Sequence, residues 1–469
     1  MKECNRNSLI GDRQFYRKVC MITLPIIVQN GITTFVGLLD NIMVGQVGTE
    51  QMSGVAIANQ LVFIFNLCIF GAVAGAGILG AQFYGSGNHD GIRNTFRFKL
   101  VAGLVLSLVF FGIFICGGET LIRAFLHEGE GGGDLEATLG FGRQYLLVMM
   151  AGLIPFAMTQ GYSGTLRETG QTVVPMTAGI VAVFVNLVFN YILIFGKFGA
   201  PALGVVGAAI ATVISRFVEF FIVAIWSHRH TGQNPFIRGL YRNFRIPAPL
   251  VRQIFMVGLP LFVNELLWSC GMTFMNQCYS VRGLEVVAAF NIATTIGNVF
   301  NVVFLSLGSA VGIIIGQLLG AGKLEQARRE DNQMIAFSVF CCLITGSAMC
   351  LVAPFFPDLY NTDELVKGLA TQLIFVTGCC QPIYGFIHAT YFTLRAGGKS
   401  IVTFLFDSAY MWMLSIPVVF CLSRFTGLPI QLVYLIAQLT DLIKVSIGFV
   451  LVKKGVWMNT IVDKKESFI

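Results

Sequence analysis

The sequence predicts an all-α membrane protein with twelve transmembrane helices in two pseudo-symmetric six-helix lobes. Three observations predict it. Of 469 residues, 55% are hydrophobic and only 12% are charged, about half the charged share of a soluble domain, and the mean hydropathy is +0.75. Apolar stretches of about 20 residues, the length a helix needs to cross the hydrocarbon core, recur along the whole chain. They are continuous rather than alternating, which selects helices over a barrel. Finally, residues 24–93 repeat at 259–328 without a gap. The copies share Pro25/Pro260, Asn41/Asn276, Glu50/Glu285, Asn66/Asn301, Gln82/Gln317, Gly85/Gly320, Gly87/Gly322 and Arg93/Arg328. A second echo pairs Thr165-Leu166-Arg167 and Gly170 with Thr393-Leu394-Arg395 and Gly398. Shared polar residues and glycines at fixed spacing mark true internal duplication. Duplicated helical bundles most often rock against each other around a pathway.

The first lobe, residues 1–230, holds spans at about 19–44, 52–80, 99–118, 141–164, 173–196 and 203–227. A basic, proline-containing connection at 231–252 is the expected cytoplasmic linker. The second lobe, 253–469, holds spans at about 253–280, 286–318, 333–356, 369–393, 401–422 and 428–452. Several exceed what a bilayer requires, so their ends should project or tilt. Of the 31 Lys and Arg, 23 fall in the termini and even-to-odd loops, against six in the other loops. The positive-inside rule then places both termini in the cytoplasm of a multi-pass plasma (inner) membrane protein. The opposite side collects acids around a glycine-rich stretch, Gly129–Gly133, read as a flexible outer loop. The N-terminus, polar for about 18 residues before a long span, does not read as a cleavable signal.

The net charge of +7 reflects orientation rather than nucleic-acid binding. Twelve cysteines include no C-x-x-C pair and read as small apolar packing residues, with no metal or other cofactor implied. Gly75-x-Gly77-x-x-Gly80 spells a dinucleotide fingerprint but lies inside an apolar span, where small residues let helices approach. No phosphate-binding loop of the G-x-x-x-x-G-K-[ST] type is present. The five histidines are scattered, which argues against a membrane-embedded enzyme.

Ionisable residues within spans carry the functional signal, because each is costly unless paired or hydrated. Five acids qualify: Asp40, Glu219, Glu265, Asp407 and Asp441. Glu219 with Arg216, and Asp441 with Lys444, are spaced i,i+3 and read as structural ion pairs. Asp407 could cap or line a cavity. Asp40 has no basic neighbour within a turn, Glu265 follows Pro260 by five residues, and neither acid is duplicated in the other copy. A carboxyl in apolar surroundings can bind and release a proton near neutral pH; ionised, it could coordinate Na⁺. Asn186 and Asn190 share one face of span five. Pro25 and Pro260, each removing a backbone hydrogen bond, read as paired hinges. Gln82-x-x-Gly85-x-Gly87 and Gln317-x-x-Gly320-x-Gly322 read as helix C-caps.

The exit of span one (Pro25, Asp40-x-x-Met43-x-Gly45-x-x-Gly48), Gln82-x-x-Gly85, Pro155, Asn186-x-x-x-Asn190-Tyr-x-Leu-Ile-Phe-Gly196, Gly204-x-x-Gly207-Ala-Ala-x-Ala-Thr212-x-x-Ser215 and Leu394-Arg395-x-x-Gly398 resemble the multidrug and toxic compound extrusion (MATE) family. The resemblance implies a V of two six-helix lobes and an efflux antiporter that expels organic cations in exchange for H⁺ or Na⁺. Asp40 matches the family's coupling acid in span one. Asn186 matches a polar residue of span five, and Asn190 stands where some members carry Asp. Glu265 resembles the span-seven Glu of the NorM-like branch. That branch's span-ten acid is absent, leaving Gln381, Tyr384 and His388 as polar, possible cavity-lining positions beside Asp407. The departure favours proton coupling through Asp40. Expected partners are small organic cations and membrane lipids, with no nucleic acid and a monomeric state. The closest alternative is a lipid-linked oligosaccharide flippase of the wider superfamily, which would want cavity-lining cations. Here only Arg216 and Lys444 lie within the membrane, each near an acid.

Overall fold

The computed structural model describes residues 9–125, 134–243 and 245–462. The Gly129–Gly133 stretch, His127, Glu128 and Glu130, and the basic residues Lys2, Arg6, Lys464 and Lys465 lie outside the described residues.

The protein is all-helical and multi-pass. Seven helices, α1 Arg13–Gly45, α2 Thr49–Ser86, α3 His89–Phe125, α4 Leu135–Met150, α5 Leu153–Glu168, α6 Val173–Phe195 and α7 Val205–Arg229, precede the linker. After it come α8 Ala248–Ser280, α9 Leu284–Gly320, α10 Leu324–Val352, α11 Glu364–Ala396, α12 Ser400–Phe404, α13 Ile416–Phe425 and α14 Ile430–Lys453. Among the described residues, eleven helical stretches are long and apolar enough to cross a membrane, and α4 with α5, bent by 49°, makes a twelfth when the pair is taken as one span. The 37 residues of α3 reach about 55 Å at 1.5 Å per residue, so its ends extend past the hydrocarbon, well beyond the 99–118 expected for this span.

Two predicted spans are not single regular helices. Span four, expected unbroken over 141–164, divides between Met150 and Leu153. Pro155 has no N–H for the carbonyl of Ala151 and its ring clashes there, so the chain starts a new helix with Pro155 in its first turn. Side chains add bonds at the break: Arg216 donates to Gly152 O at 3.3 Å, an oxygen that also accepts from Phe156 N, and Ser107 donates to Leu153 O at 3.4 Å. Arg216 also lies 5.0 Å above the Phe156 ring. This cation therefore caps a broken helix, where spacing alone suggested a pair with Glu219. Pro25 and Pro260, by contrast, lie inside continuous 33-residue helices.

The second irregular span joins α12 to α13 through π-helical turns at Leu405–Ala409 and Met411–Ser415. A π turn takes backbone groups out of the α ladder. Here Asn264 of α8 receives them: its Oδ1 accepts from Ser408 N at 3.2 Å, and its carbonyl accepts from Ser408 Oγ at 2.7 Å.

Packing divides the described residues into two compact units that do not follow chain order. One holds residues 9–27, 81–88 and 255–462, and the other holds 28–80 and the described part of 89–254. The helix α1 thus changes unit between Ile27 and Val28, two residues past Pro25. In the first unit Phe15, Val19, Ile22 and Ile26 of α1 join a core built from α9, α10, α11 and α14. In the second, α2 supplies Leu61, Phe65 and Ile69 against Leu146, Met149 and Leu153.

The repeated Gln-x-x-Gly motifs do more than cap. Gly87 and Gly322 do cap their helices, with φ of +73° and +71° and matching bonds Asn88 N to Phe83 O and Lys323 N to Leu318 O. Gly85 and Gly320 have another task. A Cβ on Gly85 would stand 1.9 Å from Gln317 O, and one on Gly320 would stand 1.9 Å from Gln82 O. The repeat's own equivalents touch reciprocally, backbone on backbone, where α2 and α9 end. Gln82 then holds the chain's last described turn: its Nε2 donates to Ala396 O at 2.9 Å and its Oε1 accepts from Ile461 N at 2.8 Å.

In the other unit, Gly77 and Gly80 of the fingerprint-like run make room for a carboxylate rather than a neighbouring backbone. Cβ atoms there would fall 2.8 and 2.3 Å from the Glu168 oxygens, and Glu168 is ion-paired with fully buried Lys99 at 2.6 Å. Lys99, expected among the loop cations, is an interior residue. The linker is pinned as well: Arg97 donates to Leu240 O at 2.8 Å and Gly239 O at 2.7 Å, and Leu240 and Phe236 are buried.

Candidate functional site

Each unit contains one carboxylate gripped by asparagine. In the unit that includes residues 28–80, the carboxylate is Asp40, half-buried near the end of α1. Facing it, Asn186 and Asn190 sit one turn apart on α6 and are both buried, as their i,i+4 spacing requires. Asn190 Nδ2 donates to Asp40 Oδ1 at 2.7 Å. Asn186, with its amide nitrogen turned toward the carboxylate, lies 2.9 and 3.0 Å from the two Asp40 oxygens. The other end of that amide lies 3.3 Å from Thr212 Oγ1 of α7. Among the described residues no basic side chain forms an ion pair with Asp40. Its charge is met only by neutral dipoles. Such bonds hold an ionised carboxylate in place without cancelling its charge, so uptake of a cation there changes the local charge outright.

In the other unit the carboxylate is Asp407, on the first π turn. Lys444 Nζ of α14 lies 2.7 Å from its Oδ1, and Asn264 Nδ2 of α8 donates to its Oδ2 at 3.0 Å. The Lys444 ammonium also faces two rings, 5.3 Å from the Phe406 centroid and 5.8 Å from that of Tyr410. The spacing-based pairing of Lys444 with Asp441 is therefore corrected. The lysine turns across to another helix, where a buried carboxylate needs a counter-charge more than one on its own helix face does.

Glu265, next to Asn264 on α8, accepts from Tyr391 Oη at 3.1 Å and stands 4.0 Å from Arg395. It belongs to the Asp407 cluster and not to that of Asp40. His388 of α11 packs against Phe304 with the rings tilted by 46° and centroids 4.4 Å apart, and its Nδ1 lies 3.2 Å from Tyr384 O. Gln381, expected as a cavity-lining residue, is fully buried and donates to Asn301 Oδ1 at 3.0 Å. That bond braces α11 against α9. Sequence reasoning did not single out Asn264. Its only signal was position, adjacent to Glu265 and one turn beyond Pro260.

A multi-pass helical membrane protein built from a duplicated bundle, with a carboxylate held among the helices of each unit, is a membrane transporter. The MatE family model matches residues 25–192 and 260–421, and the chain belongs to this family. It is similar to the probable multidrug resistance protein NorM of Thermotoga maritima, 23% identical over 87% of this chain and 86% of that one. It is also similar to a probable NorM of Neisseria meningitidis, 26% identical over 78% and 79%. Among solved structures, it superposes on an outward-facing multidrug resistance MATE family transporter with a TM-score of 0.85 at 20% identity, covering 96% and 97% of the two chains.

Proposed function

We propose that this transporter is a plasma-membrane antiporter, both termini cytoplasmic, that exports amphipathic cationic small molecules in exchange for protons. Asp40 is its proton site, and Asn186 and Asn190 are its partners. The observation that carries the reading is a carboxylate within the helices whose partners are amides and not cations. Such a group can be neutralised by a proton or by an organic cation, and competition between the two forces exchange. The Asn186 amide suits both states: with NH₂ toward Asp40 it donates to the carboxylate, and turned over, its carbonyl accepts the proton of the acid. The same geometry disfavours Na⁺ as the coupling ion. A bound Na⁺ wants oxygens around it, whereas two amide NH₂ groups point at this carboxylate. Pro25 and Pro260 would serve as hinges during exchange. The names of the NorM relatives support drug-like substrates, and the lopsided distribution of Lys and Arg supports the orientation. The flippase alternative loses weight because Lys444 is engaged by Asp407 and Arg216 by a helix break.

The test is transport of a fluorescent cation into everted vesicles under an imposed pH gradient or an imposed Na⁺ gradient. Flux driven by the pH gradient and abolished by a protonophore is expected. Flux that follows only Na⁺ would replace the proton, and no gradient-dependent flux would overturn antiport altogether.

A further inference from the structure

We propose that Lys444 is a tethered occupant of a cation-binding seat at Asp407, and that an organic cation binds there by displacing the lysine toward Asp441. This rests on the cation-export reading above and adds a second substrate-binding site to it. The seat has the parts that recognise an alkylammonium. It offers one carboxylate oxygen at 2.7 Å and the faces of Phe406 and Tyr410 at 5.3 and 5.8 Å, the arrangement in which cation–π attraction adds to an ion pair away from water. The second carboxylate oxygen is fixed by Asn264 at 3.0 Å. The Asn264 amide is in turn held by Ser408 N at its Oδ1, and its backbone carbonyl by Ser408 Oγ, so Asp407 keeps its aim when the lysine leaves.

Lys444 can leave without moving a helix. Asp441 lies three residues before it on α14, half-buried, within reach of a lysine side chain at i,i+3. The four-carbon stem needs only new rotamers for that step. The ammonium therefore exchanges one carboxylate for another and is never stranded, which lowers the cost of opening the seat. The neighbouring charges, Glu265 and Arg395, stand 4.0 Å apart and largely cancel. Asp407 is therefore the carboxylate of this cluster that displacement uncovers. Apparent affinity for the incoming cation is then the intrinsic affinity scaled by the fraction of molecules with Lys444 withdrawn.

The experiment measures equilibrium binding of radiolabelled tetraphenylphosphonium to purified full-length protein. Lys444→Met keeps the apolar stem and removes the occupant, so binding should tighten by about tenfold. Adding Asp407→Asn to it should erase the gain, because the seat loses its charge. Asp441→Asn removes the lysine's second position and should weaken binding several-fold. Binding by wild type with no tightening in monodisperse Lys444→Met overturns the proposal and leaves the cation-export reading intact. No binding by wild type or any variant overturns both. Should Lys444→Met fail to fold, Asp441→Asn decides: weaker binding supports the displacement, and unchanged binding overturns it.

Discussion

Asp40 and Asp407 are the same chemical object placed in two different electrostatic situations. Both project from a membrane helix and both accept a hydrogen bond from an asparagine on a partner helix, at 2.7 and 3.0 Å. Among the described residues, the hydrogen-bond partners of Asp40 are amides. Asp407 has the ammonium of Lys444. A carboxylate held by dipoles retains its net charge, so a mobile ion must neutralise it when water withdraws. A carboxylate held by a lysine arrives already neutralised. The difference teaches that duplication of the bundle did not duplicate the electrostatics: one unit has a carboxylate held by amides, and the other has one held by a lysine.

The largest expected effect comes from removing the free charge. Asp40→Asn keeps shape and hydrogen bonding but cannot bind a proton, and it should reduce pH-driven export in vesicles to background at unchanged expression. A fully active variant would show that the coupling carboxylate lies elsewhere. The companion change makes the two units alike. Asn190→Lys sets an ammonium beside Asp40 and should also stop export, while the membrane-inserted protein remains monodisperse in detergent. Export persisting in Asn190→Lys would mean that an unneutralised carboxylate is not what coupling requires.

Much of this was legible in sequence, and the limits follow from distance along the chain. Period, length and the gapless repeat specify helices and their number, and i,i+4 spacing specifies that Asn186 and Asn190 face one way. Proline chemistry hints at the division of span four, yet Pro25 and Pro260 do not divide α1 and α8, so the residue alone does not decide. Ion pairs were the least legible feature. Helical spacing favoured Lys444 with Asp441 and Arg216 with Glu219. The structure instead joins Lys444 to Asp407, 37 positions away, and Lys99 to Glu168, 69 positions away. Spacing describes one helix, and a buried charge is satisfied across helices. The crossing of Gly85 and Gly320 shows the converse. A conspicuous repeated motif was visible, but that its two copies touch each other could only be seen in three dimensions.

Intermediate in size is the cost of breaking the occupied pair from its acidic side. Asp407→Asn takes away the partner of Lys444 and leaves only Asp441 within its reach, so the cost falls below the about 3–5 kcal/mol of a buried charge left with no partner. A clear drop in the midpoint of thermal unfolding is expected in detergent. The double variant Lys444→Met/Asp407→Asn should recover most of it, since a neutral, well-packed replacement of a buried pair is close to neutral in stability. Asp40→Asn should move the midpoint far less, because no cation is left behind. Equal destabilisation by the two Asp→Asn changes would erase the distinction between the sites.

The smallest effect should be that of Glu265→Gln. Glu265 lies in the occupied unit and meets buried Arg395 only at 4.0 Å, too far for a hydrogen bond, so the pair has no charge-assisted bond to lose. Glutamine still accepts from Tyr391, and Arg395 keeps its place over the Phe392 ring, 5.4 Å from the centroid. Stability should therefore change little. PH-driven export should fall by a few-fold at most if the proton on Asp40 is the coupling event, because Glu265 then tunes the surroundings of Asp407 without carrying the ion. If Na⁺ drives transport, an acid in this unit becomes a ligand, and Glu265→Gln should be at least as damaging as Asp40→Asn. Measuring both variants side by side under each gradient thus ranks the two carboxylates by function. A loss in Glu265→Gln that exceeds the loss in Asp40→Asn under a pH gradient would move the coupling site from the amide-held carboxylate to the lysine-bearing unit.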